Sequence, residues 1–162
     1  MMLLTGEAKY ADAVETALYN SVLAGVDLAG TNYFYSNPLR VVDPLPTELR
    51  FPRTRQPFFT SFCCPPNLLR IIAQVGGYAL AASEDAITVN LYGSHRLTTT
   101  LRSQPLRWTM TTGYPWDGAI RISVDECTAE PFAVRLRIPA WADEAAITIN
   151  SEPAAIAAAA GS

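Results

Sequence analysis

The stretch Pro65-Pro66-Asn67-Leu68-Leu69-Arg70-Ile71-Ile72-Ala73-Gln74-Val75-Gly76-Gly77 and, a few residues on, Ile87-Thr88-Val89-Asn90-Leu91-Tyr92 decide the fold class between them. The first opens on two prolines, which a helix tolerates in its first turn because those amides have no internal partner. It then runs through Leu68, Leu69, Ile71, Ile72 and Val75 with only Arg70 and Gln74 between them, and stops at a glycine pair. That pattern predicts a helix buried on most sides. The second stretch alternates apolar and polar residues with a period of two, as a half-buried strand does. The chain therefore changes from helical to extended near residue 80.

Outward from there toward the N-terminus, Val14, Leu18 and Val22 recur at helical spacing, with Ala11, Ala17 and Ala24 widening the apolar face. They predict a helix over 8–24 with Gly25 as its stop. The connection from Val26 to Cys64 is long and proline-punctuated: Asn37-Pro38, Asp43-Pro44-Leu45-Pro46, Phe51-Pro52 and Gln56-Pro57. Loops of that length in a small domain tend to be functional. Its aromatic residues, Tyr33-Phe34-Tyr35 and Phe58-Phe59, predict that it is packed.

Toward the C-terminus, Ile120-Ile122-Val124, Phe132-Val134-Leu136-Ile138 and Ile147-Ile149 repeat the period of two. Turn signals separate them at Ser83-Glu84-Asp85, Trp116-Asp117-Gly118 and Pro139-Ala140-Trp141. Short strands at this spacing predict an antiparallel β-sandwich. Helices first and strands afterwards make the chain α+β, in two parts over 1–80 and 81–162. Neither part looks complete by itself. The alanine-rich stretch 154–162 carries no signal.

Composition narrows the function. Of 162 residues 49% are hydrophobic and 17% charged, an ordinary globular balance, and the net charge is −3. The twelve Lys and Arg are scattered, so no basic stripe suggests nucleic acid. No apolar run approaches the roughly 18–20 residues that span a bilayer. Met1-Met2-Leu3-Leu4 ends at Thr5-Gly6 without a basic region before it, too short for a signal peptide, which predicts a cytoplasmic protein. Three cysteines, two of them adjacent, fit a reducing compartment or a metal or reactive-thiol site better than a disulfide framework.

Cys63-Cys64 is the first place to look for chemistry. Cys64 precedes a proline and sits just ahead of a helix start, where partial positive charge lowers thiol pKa values. A thiolate is both a nucleophile and a soft zinc ligand. The bland alternative is a pair of buried small hydrophobes, and adjacent cysteines are not the usual Cys-x-x-Cys zinc spacing. Glu15, at the edge of the apolar face of the first helix, reads as a solvated surface glutamate or as a glycosidase carboxylate. Asp12 lies closer to the exposed face. Tyr35 and its aromatic neighbours read as core or as a sugar-stacking wall. His95 is the sole histidine, with no catalytic set around it, and Cys127 is assigned nothing.

Several stretches together resemble a known family. They are Gly6-to-Asp12, Glu15-to-Asn20, Phe34-to-Leu39, Cys63-Cys64-Pro65-Pro66-Asn67, Gly76-Gly77-Tyr78, Val89-to-Tyr92, Tyr114-to-Gly118 and Leu136-to-Trp141. In that order they are similar to glycoside hydrolase family 127, the β-L-arabinofuranosidases and their relatives, and the cysteine-proline motif is the most specific of them. The resemblance implies the C-terminal part of an (α/α)6 barrel followed by a β-sandwich. It implies a retaining glycosidase that removes terminal β-L-arabinofuranose, or a related L-sugar, from plant-type glycans. It implies Cys63 as nucleophile and zinc ligand, Cys64 as a second zinc ligand, and Glu15 and Tyr35 as substrate contacts. The family's remaining ligands, an upstream Glu-x-Cys, and its general acid have no counterpart before Cys63. Ser61 and Phe62 stand where some relatives carry a further cysteine. The expectation is a fragment, from a truncated reading frame or gene remnant, with half a zinc site and no activity of its own. The competing expectation is a non-catalytic carbohydrate-binding or interaction module. Carbohydrate is the expected partner, without nucleic acid or membrane; a homo-oligomer through the sandwich or another exposed surface is left open.

Overall fold

The computed structural model describes the chain from Met1 to Ser162 except Pro38, Leu39, Val41, Phe62, Thr128, Ala129 and Ala157. The Pro38-Leu39 end of the Phe34-to-Leu39 motif, Phe62 beside the cysteines and Thr128 beside Cys127 therefore lie outside the described residues. The fold is α+β. It divides into two compact units, one formed by Met1–Ala13 with Gly76–Ser162 and the other by Val14–Val75.

The helices are α1 (Met2–Thr5), α2 (Ala8–Ala17) and α3 (Cys64–Ala79). The helix predicted over 8–24 keeps α-geometry only to Ala17. It widens to a π-turn at Leu18–Val22 and tightens to a 3₁₀ turn at Leu23–Gly25. Its buried positions are Ala11 and Glu15, one turn apart, so the inward face lies one residue round from the predicted Val14-Leu18-Val22 stripe. Gly25 marks the stop as predicted, and a Cβ placed there would lie 3.5 Å from Leu68 of α3. The prediction that α3 is buried on most sides fails. Leu69 is 63% exposed, Ile72 and Tyr78 are also exposed, and Pro65 alone in the helix is buried. An apolar helix needs neighbours on every flank to be covered, and the described residues do not supply them. No described helix is long and apolar enough to cross a membrane.

The Met1–Ala13 and Gly76–Ser162 unit holds the strands: β1 (Leu80–Ala82), β2 (Ala86–Val89), β3 (His95–Leu101), β4 (Gln104–Thr112), β5 (Ile120–Glu126), β6 (Ala133–Leu136), β7 (Thr148–Ile149) and β8 (Glu152–Pro153). Among the described residues they pair as β1-β2-β6, β3-β4-β5 and β7-β8. Pairing is antiparallel except between β2 and β6, which run parallel with Ile87 opposite Val134. The expectation of antiparallel pairing throughout fails there, because alternation along a strand fixes which face is buried but not the direction of its partner.

The core of this unit joins Ile87, Val89 and Tyr92 to Leu101, Leu106, Trp108 and Met110. Four of these seven come from the β3–β4 hairpin, whose turn residues Arg102 and Ser103 have φ of 48° and 63°. Two successive positive φ values suit the right-handed twist of a tight hairpin, and the usual marker is Asn-Gly. Arg-Ser carries no such marker. In β5 only Ile122 is drawn inward, while Ile120 and Val124 are exposed. Past Val89 the in-and-out alternation of β2 ends. Asn90 and Leu91 donate to the Ala79 carbonyl, and Tyr92 donates through its hydroxyl to the Arg137 carbonyl at 2.5 Å. Arg137 is buried and pairs with Asp12 at 2.7 Å. Asp12 is thus not a solvated carboxylate, and a buried guanidinium of this kind requires such a partner.

Candidate functional site

The thiols sit where the long connection ends and α3 begins. Cys63 is the residue before α3 and Cys64 its first. Pro65 and Pro66 occupy first-turn positions without losing a helical hydrogen bond. Asn67 reaches back one turn, donating through Nδ2 to the Cys63 carbonyl at 2.6 Å, and Arg70 donates to the other end of the same amide. The backbone under Cys63 is therefore anchored to the helix it precedes. Both thiols are exposed and neither is in a disulfide. The reading of them as buried small hydrophobes is overturned.

The connection is packed, as its aromatic content predicted. Tyr33 forms backbone bridges to Val26 and to Gln56, which fold the loop across itself. Tyr33, Tyr35, Phe51 and Phe59 make an aromatic cluster; Tyr35 lies 4.0 Å from Phe51 and 5.7 Å from Phe59, centroid to centroid. Phe59 is buried, whereas Phe58 is exposed. The ring of Tyr35 packs in this cluster, and its hydroxyl lies 3.0 Å from Cys63 Sγ. Ser61 donates to the same phenolic oxygen at 3.1 Å, and Cys64 Sγ lies 3.6 Å from Cys63 Sγ.

These contacts separate the two sulfurs electrostatically. Hydrogen bonds from Tyr35, then Ser61 and Cys64, stabilise the anion of Cys63 and bring its thiol down to about 7. The same bonds push Tyr35 and Cys64 up, chiefly because each hydrogen-bonds Cys63 and would lose that bond on ionising. Cys63 is the thiolate of the set and Cys64 a thiol that supports it. Alkylation of Cys63 by iodoacetamide should accordingly rise with pH through about 7 and level off above it. Site-resolved mass spectrometry across pH 5–10 checks this; a midpoint at the ordinary thiol value would contradict the geometry.

Two cysteine sulfurs 3.6 Å apart also suit a soft metal ion, which would bind both as thiolates. Tetrahedral zinc with bonds of about 2.3 Å places two sulfurs about 3.8 Å apart. Cys63 and Cys64 would hold it as two of four ligands. Among the described residues no group of three or more His, Cys, Asp or Glu could complete the set.

Glu15 is the buried carboxylate of α2, not a solvated surface glutamate. His95 belongs to the strand-bearing unit, where Nδ1 meets the Gly93 carbonyl at 2.8 Å and Nε2 accepts from the Trp108 indole at 3.2 Å. Cys127 is exposed. Sequence reasoning noted Ser61 only as a neighbour of the cysteines and gave Phe51 no place in the site. Nothing in a lone serine two residues before a cysteine announces a contact with a tyrosine 26 residues upstream.

Comparison with known proteins adds the context of the site. Residues 1–77 match the family model described as β-L-arabinofuranosidase, GH127 catalytic domain, and residues 86–162 match that of the β-L-arabinofuranosidase, GH127 middle domain. The non-reducing end β-L-arabinofuranosidase of Bifidobacterium longum subsp. longum is 32% identical over 95% of this chain and 24% of its own length. A solved structure described as a glycoside hydrolase superposes with a TM-score of 0.92 at 43% identity, over 99% of this chain and 27% of that one. The crystal structure of a GH127 β-L-arabinofuranosidase from Geobacillus stearothermophilus T6 gives 0.83 at 40% identity, over 95% and 25%. The chain thus spans about a quarter of the length of these relatives.

Proposed function

Because this chain belongs to glycoside hydrolase family 127, we propose that it carries the nucleophile-bearing segment of a retaining glycosidase acting on terminal β-L-arabinofuranose or a related L-sugar. The observation that carries this reading is Cys63 itself: an exposed sulfur anchored at a helix start, hydrogen-bonded by Tyr35 and drawn down to about 7. In the proposal 1–80 closes an (α/α)6 barrel and 81–162 opens a β-sandwich.

The Cys63 thiolate attacks the anomeric carbon. A carbon–sulfur bond forms as the glycosidic carbon–oxygen bond breaks, and the departing oxygen takes a proton from an acid that this chain does not provide. Water then attacks the same carbon while the conjugate base of that acid takes its proton, the carbon–sulfur bond breaks, and Cys63 leaves as thiolate. Two inversions give net retention. Tyr35 supports the sulfur whenever it carries charge, and its ring offers an aromatic wall beside the sugar. Glu15 contacts the sugar hydroxyls from α2. Zinc, when held by Cys63 and Cys64 with two further ligands, supplies positive charge that keeps the thiols deprotonated. Exposed free thiols suit a reducing, cytoplasmic setting.

The chain of 162 residues by itself is proposed to be catalytically silent, since the described residues complete neither the metal site nor an acid–nucleophile pair. Incubated with an aryl β-L-arabinofuranoside, a longer protein containing the segment is expected to release free sugar. The 162-residue chain, with or without added zinc, is expected to release none. Turnover by the short chain would refute its silence, and no turnover by the longer protein would refute the activity. Sugar binding by the short chain without hydrolysis would favour the non-catalytic module.

A further inference from the structure

Tyr35 brings its hydroxyl to 3.0 Å from Cys63 Sγ across 28 residues of sequence, while the backbone ties of its own segment stand earlier, at Tyr33 and Phe34. We propose that Phe51 is a positioning residue that holds the Tyr35 ring in the rotamer that reaches Cys63. The consequence for turnover rests on the reading of Cys63 as nucleophile, but the placement of the ring can be measured without substrate.

A side chain on a pinned backbone still chooses among staggered χ1 wells. Tyr33 exchanges backbone hydrogen bonds with Gln56 at 3.0 and 3.1 Å, and Phe34 donates to the Gly25 carbonyl at 2.9 Å. These ties place the Tyr35 backbone and leave the direction of its ring to what packs on it. Phe59 lies 5.7 Å from Tyr35 and also 5.7 Å from Tyr33, so it backs both tyrosines of the segment. Phe51 is nearer, at 4.0 Å from the Tyr35 ring, and meets Phe59 edge to face at 5.6 Å. Phe51 makes a fixed wall because the strap that carries it is fastened. Gln56 is tied to Tyr33. Arg55 donates to the Ala24 carbonyl at 2.6 Å with its guanidinium 4.4 Å from the Phe34 ring centroid, and Arg53 donates to the Val42 carbonyl at 2.5 Å. The Arg50 guanidinium lies over the Phe51 ring itself, 5.2 Å from its centroid. An aromatic pair shifts a rotamer equilibrium by about two- to ten-fold beyond simple burial. That is enough to decide where a half-buried tyrosine points.

The test is read first on the full 162-residue chain, isotope-labelled at the tyrosine ε carbons and kept reduced. The signal is the nuclear Overhauser cross-peak between the Tyr35 ring and the Cys63 β-hydrogens, assigned by its loss in Tyr35→Phe. Wild type is expected to show it, and Phe51→Ala to weaken it by at least about two-fold. Phe51→Leu fills a similar volume without a flat face and should weaken it too, so the test survives if the alanine variant does not fold. Phe51→Tyr keeps the ring and should keep the cross-peak, which separates the aromatic contact from general fit. In a longer protein that carries the segment, Tyr35→Phe is expected to lower kcat by about ten-fold and Phe51→Ala by about five-fold. The double variant should match Tyr35→Phe in kcat, because a residue that acts through another has nothing left to remove. Its KM should rise above that of Tyr35→Phe, since the ring at position 35 loses its support. No cross-peak in wild type, an undiminished one in Phe51→Leu, no rescue by tyrosine, or effects on kcat that multiply would each overturn the proposal. If the cross-peak behaves as stated while the longer protein keeps its turnover without Cys63, the nucleophile reading falls and the placement of Tyr35 by Phe51 stands.

Discussion

Replacing Cys63 by alanine in a longer protein that carries this segment is expected to lower kcat/KM for an arabinofuranoside by about 10⁴-fold or more, the scale on which nucleophile removal acts in covalent catalysis. Among the described residues, the other exposed thiol at this point is Cys64. Cys64 is pushed up by its hydrogen bond to Cys63, so with Cys63 present it stays a thiol, and it belongs to the helix rather than preceding it. Serine at position 63 should be nearly as poor as alanine, because the same hydrogen bonds cannot bring an alcohol into the range where it ionises near neutrality. The comparison that makes the result specific is Tyr35→Phe, which keeps the aromatic packing on Phe51 and removes only the donor at 3.0 Å from the sulfur. It should lower kcat by far less than Cys63→Ala and leave the protein folded. Circular dichroism would establish that each variant is folded before rates are compared. Turnover of Cys63→Ala within ten-fold of wild type would remove the nucleophile from the mechanism.

The site was legible in the sequence to different depths. Cys63-Cys64-Pro65-Pro66 could be read as thiols at a helix start because proline placement reports backbone hydrogen bonding locally. The sequence reading did not show that Cys63 and Cys64 differ, because the difference is made by Tyr35 and Ser61. Those contacts depend on how the connection from Val26 to Cys64 folds, with Tyr33 bridging Gln56. Glu15 was placed on the edge of the helix by counting from Val14; the observed face is one residue round, and the π-turn that follows changes which residues line up beyond Ala17. In the strand-bearing unit, alternation found β2, β5, β6 and β7 but not the hairpin of β3 and β4. Leu97-Thr98-Thr99-Thr100-Leu101 carries threonines where an apolar repeat would announce itself, and the Arg102-Ser103 turn adopts positive φ without glycine or asparagine. The parallel pairing of β2 with β6 joins residues more than forty apart, and no local pattern encodes it. Likewise, the charge on Asp12 reads as solvent-facing until Arg137, on the far side of the sequence, is brought to it.

That unrecognised hairpin supplies the position at which a substitution should do the most structural damage. Trp108 on β4 is fully buried, packed in the core with Ile87, Val89, Leu101, Leu106 and Met110. Trp108→Ala removes the largest side chain of that core and is expected to cost about 3–5 kcal/mol, the range for a buried aromatic replaced by alanine. It also removes the indole donor to His95 Nε2 and leaves that acceptor without its protein partner, since Nδ1 is turned to the Gly93 carbonyl. Against a total stability of about 5–15 kcal/mol for an ordinary domain, the loss is a large fraction of what holds the unit folded. Trp108→Phe keeps most of the packing and gives up the hydrogen bond, so it should cost about 1–2 kcal/mol. Trp116 is the internal control. It is 95% exposed on the turn after β4, and Trp116→Ala should change the stability of the isolated chain by no more than about 0.5 kcal/mol. Urea denaturation of the three variants and wild type, followed by circular dichroism, orders them directly. An alanine at 108 no more harmful than one at 116 would mean that the β3–β4 hairpin is not the core of this unit.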